Sequence, residues 1–250
     1  MQHVIITIAR QHGSGGRLIG ECLAKKMGIA YYDKELISLT AKKTGFALDF
    51  VKEVEEKQTS SFLYSIYAAA VVPSVYEQAR NAQFSVIREL ASKGSCVIVG
   101  RAADCILKNL PYCVHVFVHA PLEERIRRAT EDYQEAMDNP ERALQKKDKA
   151  RAAFYNTYSE YPWGDLRNYD MAINSTIGIE KSADIILDYV KAKIQHVTSG
   201  MNRPGSQRAG AVLVIKPGPK SRTAKRGLSG KGRGRPLRRD GRSRRGALPQ

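Results

Sequence analysis

The chain has 250 residues and a formal net charge of +16, from 41 Lys and Arg against 25 Asp and Glu, and is long enough to bury a sizeable core. The charge is local: residues 201–250 hold 15 Lys and Arg and one acid, Asp240, so the first 200 residues, with 26 basic and 24 acidic, are close to neutral. Cys22, Cys96, Cys105 and Cys113 lack any paired C-x-x-C spacing, and three of them sit in apolar runs where a thiol acts as a small hydrophobe. There is no basic-then-apolar leader at Met1 and no apolar stretch of about 18 residues, so secretion and membrane spanning are disfavoured and a reduced, cytoplasmic protein is expected.

The first element is a β-branched strand, Val4 to Ile8. It runs through Ala9-Arg10-Gln11-His12 into Gly13-Ser14-Gly15-Gly16-Arg17 and then into helical spacing of Leu18, Ile19, Cys22, Leu23 and Met27. Glycines let the backbone bend so that successive N–H groups face one concavity, and the positive end of the following helix dipole favours an anion there. The segment therefore reads as a phosphate cradle or as a plain strand-to-helix turn. The pattern G-x-x-x-x-G-K-[ST] is not met: aligned on the strand, Gly16 holds the lysine position, and neither Arg17 nor Leu18 after it supplies the hydroxyl. A weaker strand, Ile29 to Tyr32, ends at Asp33. Val86, Ile87, Leu90 and Ala91 then recur at helical spacing before a strand at Cys96 to Val99, which leads into Gly100-Arg101. Two more strands, Cys113 to Val118 and Met171 to Ile173, precede a last helical pattern of Ala183, Ile186, Leu187 and Val190. Strands alternating with helices predict a parallel α/β sheet whose ligand crevice lies beyond the carboxyl ends of the strands. The glycine loop, Asp33 and Gly100-Arg101 should converge there.

Two stretches fall outside this alternation. Residues 45–93 read as a long, mostly helical insertion broken at Pro73. Residues 121–160 are dense in charge and read either as a solvated helix face or as a mobile lid that brings cations over a polyphosphate. In the lid reading Arg125, Arg128, Lys146, Lys147 and Arg151 repel one another until an anion lies between them. From residue 198, Gly, Pro, Ser, Arg and Lys dominate, which predicts a disordered basic tail over 198–250. Such a tail offers non-specific nucleic-acid binding by counterion release, with Arg233-Gly234-Arg235-Pro236 suited to an A·T-rich minor groove.

The strand and glycine loop, Tyr31-Tyr32-Asp33-Lys34-Glu35-Leu36-Ile37, the run Val97-Ile98-Val99-Gly100-Arg101-Ala102-Ala103-Asp104, and Tyr158, Trp163-Gly164, Tyr169-Asp170 and Asn174 together resemble the cytidylate kinase-like family. The resemblance implies a P-loop NTPase-like parallel sheet flanked by helices over residues 1–197, with 45–93 as the monophosphate-binding insertion and 121–160 as the lid. The tail has no counterpart in it. By the same resemblance Gly13, Ser14, Gly15 and Gly16, with Arg17, wrap the donor phosphates. Gly100-Arg101 matches the centre of an Asp-Gly-Arg-Asp motif whose arginine contacts the acceptor phosphate. Asp148 and Arg151 match a lid Asp-x-x-Arg that clamps nucleotide and phosphate, and Arg125 and Arg128 open that lid. Read from the residues alone, Arg101 is equally an exposed strand-end cation, and Asp148 with Arg151 an ordinary helix ion pair.

The sequence also departs from the family pattern. Val99 and Ala102 stand where the two aspartates of Asp-Gly-Arg-Asp belong, and Gly16, followed by Arg17 and Leu18, leaves the loop without its lysine and its magnesium-holding hydroxyl. Arg17 or the lid arginines Arg128 and Arg151 then stand in as cations. Asp33 and Asp104 are the acceptor-side candidates, with Asp33 holding Mg²⁺ through water, unless either aspartate caps its helix. The activity implied is transfer of the ATP γ-phosphate, with Mg²⁺, to a nucleoside monophosphate, CMP or dCMP. A nucleotide-binding or regulatory protein without turnover is the alternative, and nucleic-acid binding through the tail a further one.

Overall fold

The computed structural model describes residues 3–51 and 75–201. Of the expected 45–93 insertion this includes 45–51 and 75–93; the rest of it, and the tail beyond 201, lie outside the described residues. The elements are β1 (Ile5–Arg10), α1 (Gly16–Met27), β2 (Ala30–Tyr32), α2 (Glu35–Thr44), α3 (Val75–Lys93), β3 (Cys96–Val99), α4 (Ala103–Ile106), β4 (Cys113–His119), α5 (Leu122–Arg127), α6 (Pro140–Asn156), β5 (Met171–Asn174) and α7 (Ile179–Met201). Five parallel strands form one sheet in the order β2-β3-β1-β4-β5. This is the parallel α/β sheet expected from the alternation of apolar runs.

The strands are short, apolar and β-branched because they are covered on both faces. Successive side chains of β1 alternate between the two cores. Ile6 and Ile8 pack with Ile19 and Leu23 of α1 and with Ala183, Ile186 and Val190 of α7. Ile5 faces the other way, among Leu36, Ile87, Leu90, Ile98 and Leu107. Each of these isoleucines and leucines contributes roughly 1.5–3 kcal/mol by leaving water. The one polar break inside β1 is matched across the sheet, where buried Thr7 meets His115 Nδ1 at 2.8 Å. All four cysteines are free thiols.

Two boundaries differ from the sequence reading by more than one residue. Strand β1 runs past Ile8 to Arg10, which pairs with Val118, so an arginine closes the central strand at the crevice. Helix α7 continues through 198 to Met201, because a helix once nucleated propagates past the end of its buried face. Among the described residues no helix is long and apolar enough to cross a membrane.

Candidate functional site

The loop between β1 and α1 is built to turn its amides inward. Gly13 and Gly15 have φ of +76° and +80°, a left-handed backbone that glycine adopts without strain. Three consecutive loop carbonyls point the other way and are each held from behind. The His12 carbonyl accepts from Arg125 Nε at 2.7 Å, the Gly13 carbonyl from Arg128 Nη1 at 3.0 Å, and the Ser14 carbonyl from Ser175 Oγ at 2.6 Å. The amides of Gly13, Gly15, Gly16 and Arg17 find no acceptor among the described residues. Orphan donors at a helix start, with the dipole behind them, suit an anion. A Cβ on Gly13 would collide with the Arg125 carbonyl, and one on Gly15 would lie 2.6 Å from Ile179 Cδ1.

The loop opens onto a cavity of about 370 Å³ whose walls include Arg10, His12, Gly13, Gly15, Gly16, Arg17, Asp33, Lys34, Tyr133, Glu135 and Arg151. On one side, Asp33 Oδ1 lies 3.5 Å from both Arg10 Nη2 and Arg101 Nη1. Arg101 turns back to this carboxylate because Gly100, Arg101 and Ala102 are all left-handed, at φ of +80°, +56° and +51°. On the other side, His12 ties the loop to α6. Its amide donates to Asp148 Oδ1 at 2.7 Å, its Nε2 meets Glu135 at 3.0 Å and Lys147 at 3.2 Å, and its Nδ1 faces Arg151 at 3.1 Å. Burial and then the Arg151 charge hold the imidazole below its usual value, so it is neutral at pH 7. Asp148 also pairs with Arg125 and, at 3.1 Å, with Arg151. Glu135 sits below the usual carboxylate range: burial pushes it up, and its bonds to Lys147 and His12 outweigh that.

The structure thus brings Gly13, Gly15, Gly16, Arg17, Asp33 and Arg151 to one cavity, with Arg101 and Asp148 bonded to its walls. Three residues lie elsewhere than expected. Arg128 is 4% exposed and lies behind the loop, bonded to Gly13, Ser175 and Glu124, where it shapes the cradle and does not line the cavity. Ser14 is fully buried with its hydroxyl donating to the Gln11 carbonyl at 2.8 Å. Asp104 is 5% exposed and accepts the Tyr155 hydroxyl at 2.5 Å, tying α4 to α6; burial pushes its carboxyl up to about 6. Four of the five 121–160 cations expected to repel one another are paired with carboxylates. Arg125 and Arg151 pair with Asp148, Arg128 with Glu124, and Lys147 with Glu135. The sequence reading passed over Arg10, His12 and Glu135. The signal for Arg10 was present, since it occupies the first-glycine position of the phosphate-loop pattern.

The residue expected to hold Mg²⁺, Asp33, lies at the cavity wall. Among the described residues no three His, Cys, Asp or Glu side chains gather to hold a metal. Both guanidinium contacts of Asp33 fall on Oδ1.

The sequence profile of the cytidylate kinase-like family matches residues 5–177. The chain belongs to this family. No curated protein matches it. Among solved structures, an uncharacterized protein from Eubacterium ventriosum is 28% identical, with a TM-score of 0.57 over 75% of this chain and 98% of that one. A shikimate kinase from Acinetobacter baumannii in complex with shikimate is 20% identical, with a TM-score of 0.48 over 76% and 94%. A gluconokinase from Sinorhizobium meliloti is 15% identical, with a TM-score of 0.44 over 79% and 95%. Family membership and the strand order place the chain among proteins with the P-loop kinase-like fold. Against the general phosphate-loop pattern G-x-x-x-x-G-K-[ST], its loop carries Gly16 where the lysine belongs.

Proposed function

We propose that the protein is an ATP-dependent phosphotransferase acting on a nucleoside monophosphate, CMP or dCMP. The observation that carries this reading is the loop's polarity, with three carbonyls tied by hydrogen bonds and four amides, without an acceptor among the described residues, on residues that line one cavity. The triphosphate of ATP rests on those amides, and Arg101, beside Asp33, holds the acceptor's phosphate by a bidentate guanidinium contact. An acceptor phosphate oxygen bonds to the γ-phosphorus as the bond from that phosphorus to the β,γ-bridging oxygen breaks, and ADP leaves with that electron pair. Such transfer asks the protein for positioning and charge neutralisation, which a cavity walled by Arg10, Arg17, Lys34 and Arg151 supplies. Asp33 would be the protein ligand of a Mg²⁺ bound with the phosphates, which would supply further charge neutralisation. Closure of α6 over the loop excludes water that would otherwise take the phosphate.

The deciding experiment presents a panel of nucleoside monophosphates with Mg-ATP and follows phosphate transfer. Transfer to CMP or dCMP above the rest is expected. ATP binding without transfer to any acceptor overturns the enzyme and leaves a nucleotide-binding regulator, a reading favoured by the use of the His12 amide by Asp148.

A further inference from the structure

Arg10 is the last residue of β1 and enters the cavity where the phosphate-loop pattern has its first glycine. Its side chain explains two other glycines. A Cβ on Gly16 would lie 2.6 Å from the Arg10 Cβ and 3.0 Å from its Cγ, and a Cβ on Gly100 would run into the guanidinium. Gly16 has no left-handed backbone to account for it, so the arginine stem is what excludes a side chain there. A lysine at 16, the residue that the pattern requires, is incompatible with arginine at 10. The two departures from the pattern are one exchange.

The guanidinium is also short of anions. Its contact with Asp33 is 3.5 Å, long for a charge-assisted hydrogen bond, and falls on the same oxygen that Arg101 meets. Burial, then the charges of Arg151 and Arg101, pull Arg10 down to about 9 against the opposing pull of Asp33. The cavity walls carry Arg10, Arg17, Lys34 and Arg151 against Asp33 and Glu135, an excess of cations that a polyphosphate removes. Arg10 reaches from Gly16 of the loop, against its stem, to Gly100 and Asp33 at its guanidinium, so it touches both the loop and the segment that carries Arg101.

We infer that Arg10 is the cation that binds the transferred phosphoryl group, in place of a lysine at position 16. This rests on the kinase reading above and deepens it. The planar fork grips two oxygens of the γ-phosphate at once, where a lysine offers a point charge. It remains in contact while that group passes from ADP to the acceptor oxygen.

The test uses the full chain and equilibrium titration with ATP, ADP and inorganic triphosphate, without acceptor. Arg10→Gln should weaken ATP about 10- to 100-fold, the loss expected for charge-assisted bonds, and ADP far less, so that the preference of ATP over ADP collapses. Arg10→Gly should behave alike. The double variant Arg10→Gly with Gly16→Lys rebuilds G-x-x-x-x-G-K and should recover most of the lost ATP affinity, whereas Gly16→Lys alone should bind worse than wild type. An Arg10→Gln protein of unchanged melting temperature that keeps the wild-type ATP-to-ADP ratio overturns the inference alone. A double variant that folds and binds no better than Arg10→Gly does the same, and one that fails to fold leaves Arg10→Gln to decide. A wild type that binds neither ATP nor inorganic triphosphate overturns the kinase reading and the inference together.

Discussion

At Arg101 backbone strain and site geometry meet. A left-handed conformation costs a residue with a side chain about 1–2 kcal/mol, and Arg101 and Ala102 both adopt it directly after Gly100. The strain reverses the chain at the end of β3 and returns the guanidinium to Asp33. Arg101→Gly should therefore lose acceptor affinity with no loss of melting temperature. Arg101→Ala should lower acceptor affinity about 10- to 150-fold by calorimetric titration, the equivalent of about 1.5–3 kcal/mol for a charge-assisted contact. A variant that keeps the acceptor and weakens ATP would reverse the assignment of the two sides. Gly15→Val places a branched side chain on a left-handed backbone against Ile179 and should abolish ATP binding in the protein that remains folded. The glycine cluster was legible because glycine is a backbone signal carried in the sequence itself. The hold of Arg10 on Gly16 and Gly100 was not, although its place in the pattern was, because a clash between side chain and space appears only when the strand end is built.

The segment 121–160 is two devices. Arg125 of α5, and Arg128 just beyond it, are buried and hold the loop's carbonyls, while α6 reaches the loop through Asp148 and His12. Charge density suggested one mobile lid; pairing between elements far apart in sequence, such as Asp148 with His12 and Glu135 with His12, has no local pattern to announce it. Periodicity did locate all five strands and the helices α1, α3 and α7, because two-sided burial and a helix stripe write themselves into residue order. Since Asp148 joins Arg125, Arg151 and the His12 amide, Asp148→Asn should free α6. Amide exchange over 140–156 should then rise in the free protein, with a stability loss of about 1–3 kcal/mol, and ATP with acceptor should protect the wild type more fully than the variant. Equal exchange in the two free proteins would show that α6 is held by its other contacts.

Across the whole domain, two buried groups set opposing responses to acid. Burial pushes Asp104 up to about 6 and pushes His115 down to about 4. Between about pH 4 and 6 the native state binds the proton on Asp104 that the unfolded chain releases, so this group stabilises the fold as pH falls. Over nearly the same range the unfolded chain protonates His115 while the native state keeps it neutral against Thr7, so this group destabilises the fold as pH falls. The two contributions are of opposite sign and largely cancel in the wild type. Removing one should expose the other. Asp104→Asn keeps an acceptor for Tyr155 and should make stability fall more steeply on acidification from pH 6 to 4, by up to about 1.4 kcal/mol per pH unit, the value for one proton. His115→Gln should shift the slope by a similar amount the other way, so that stability falls less or rises on acidification. Denaturant unfolding at a series of pH values measures both, and parallel profiles for the wild type and either variant would mean that the group removed does not titrate between those limits in the folded protein.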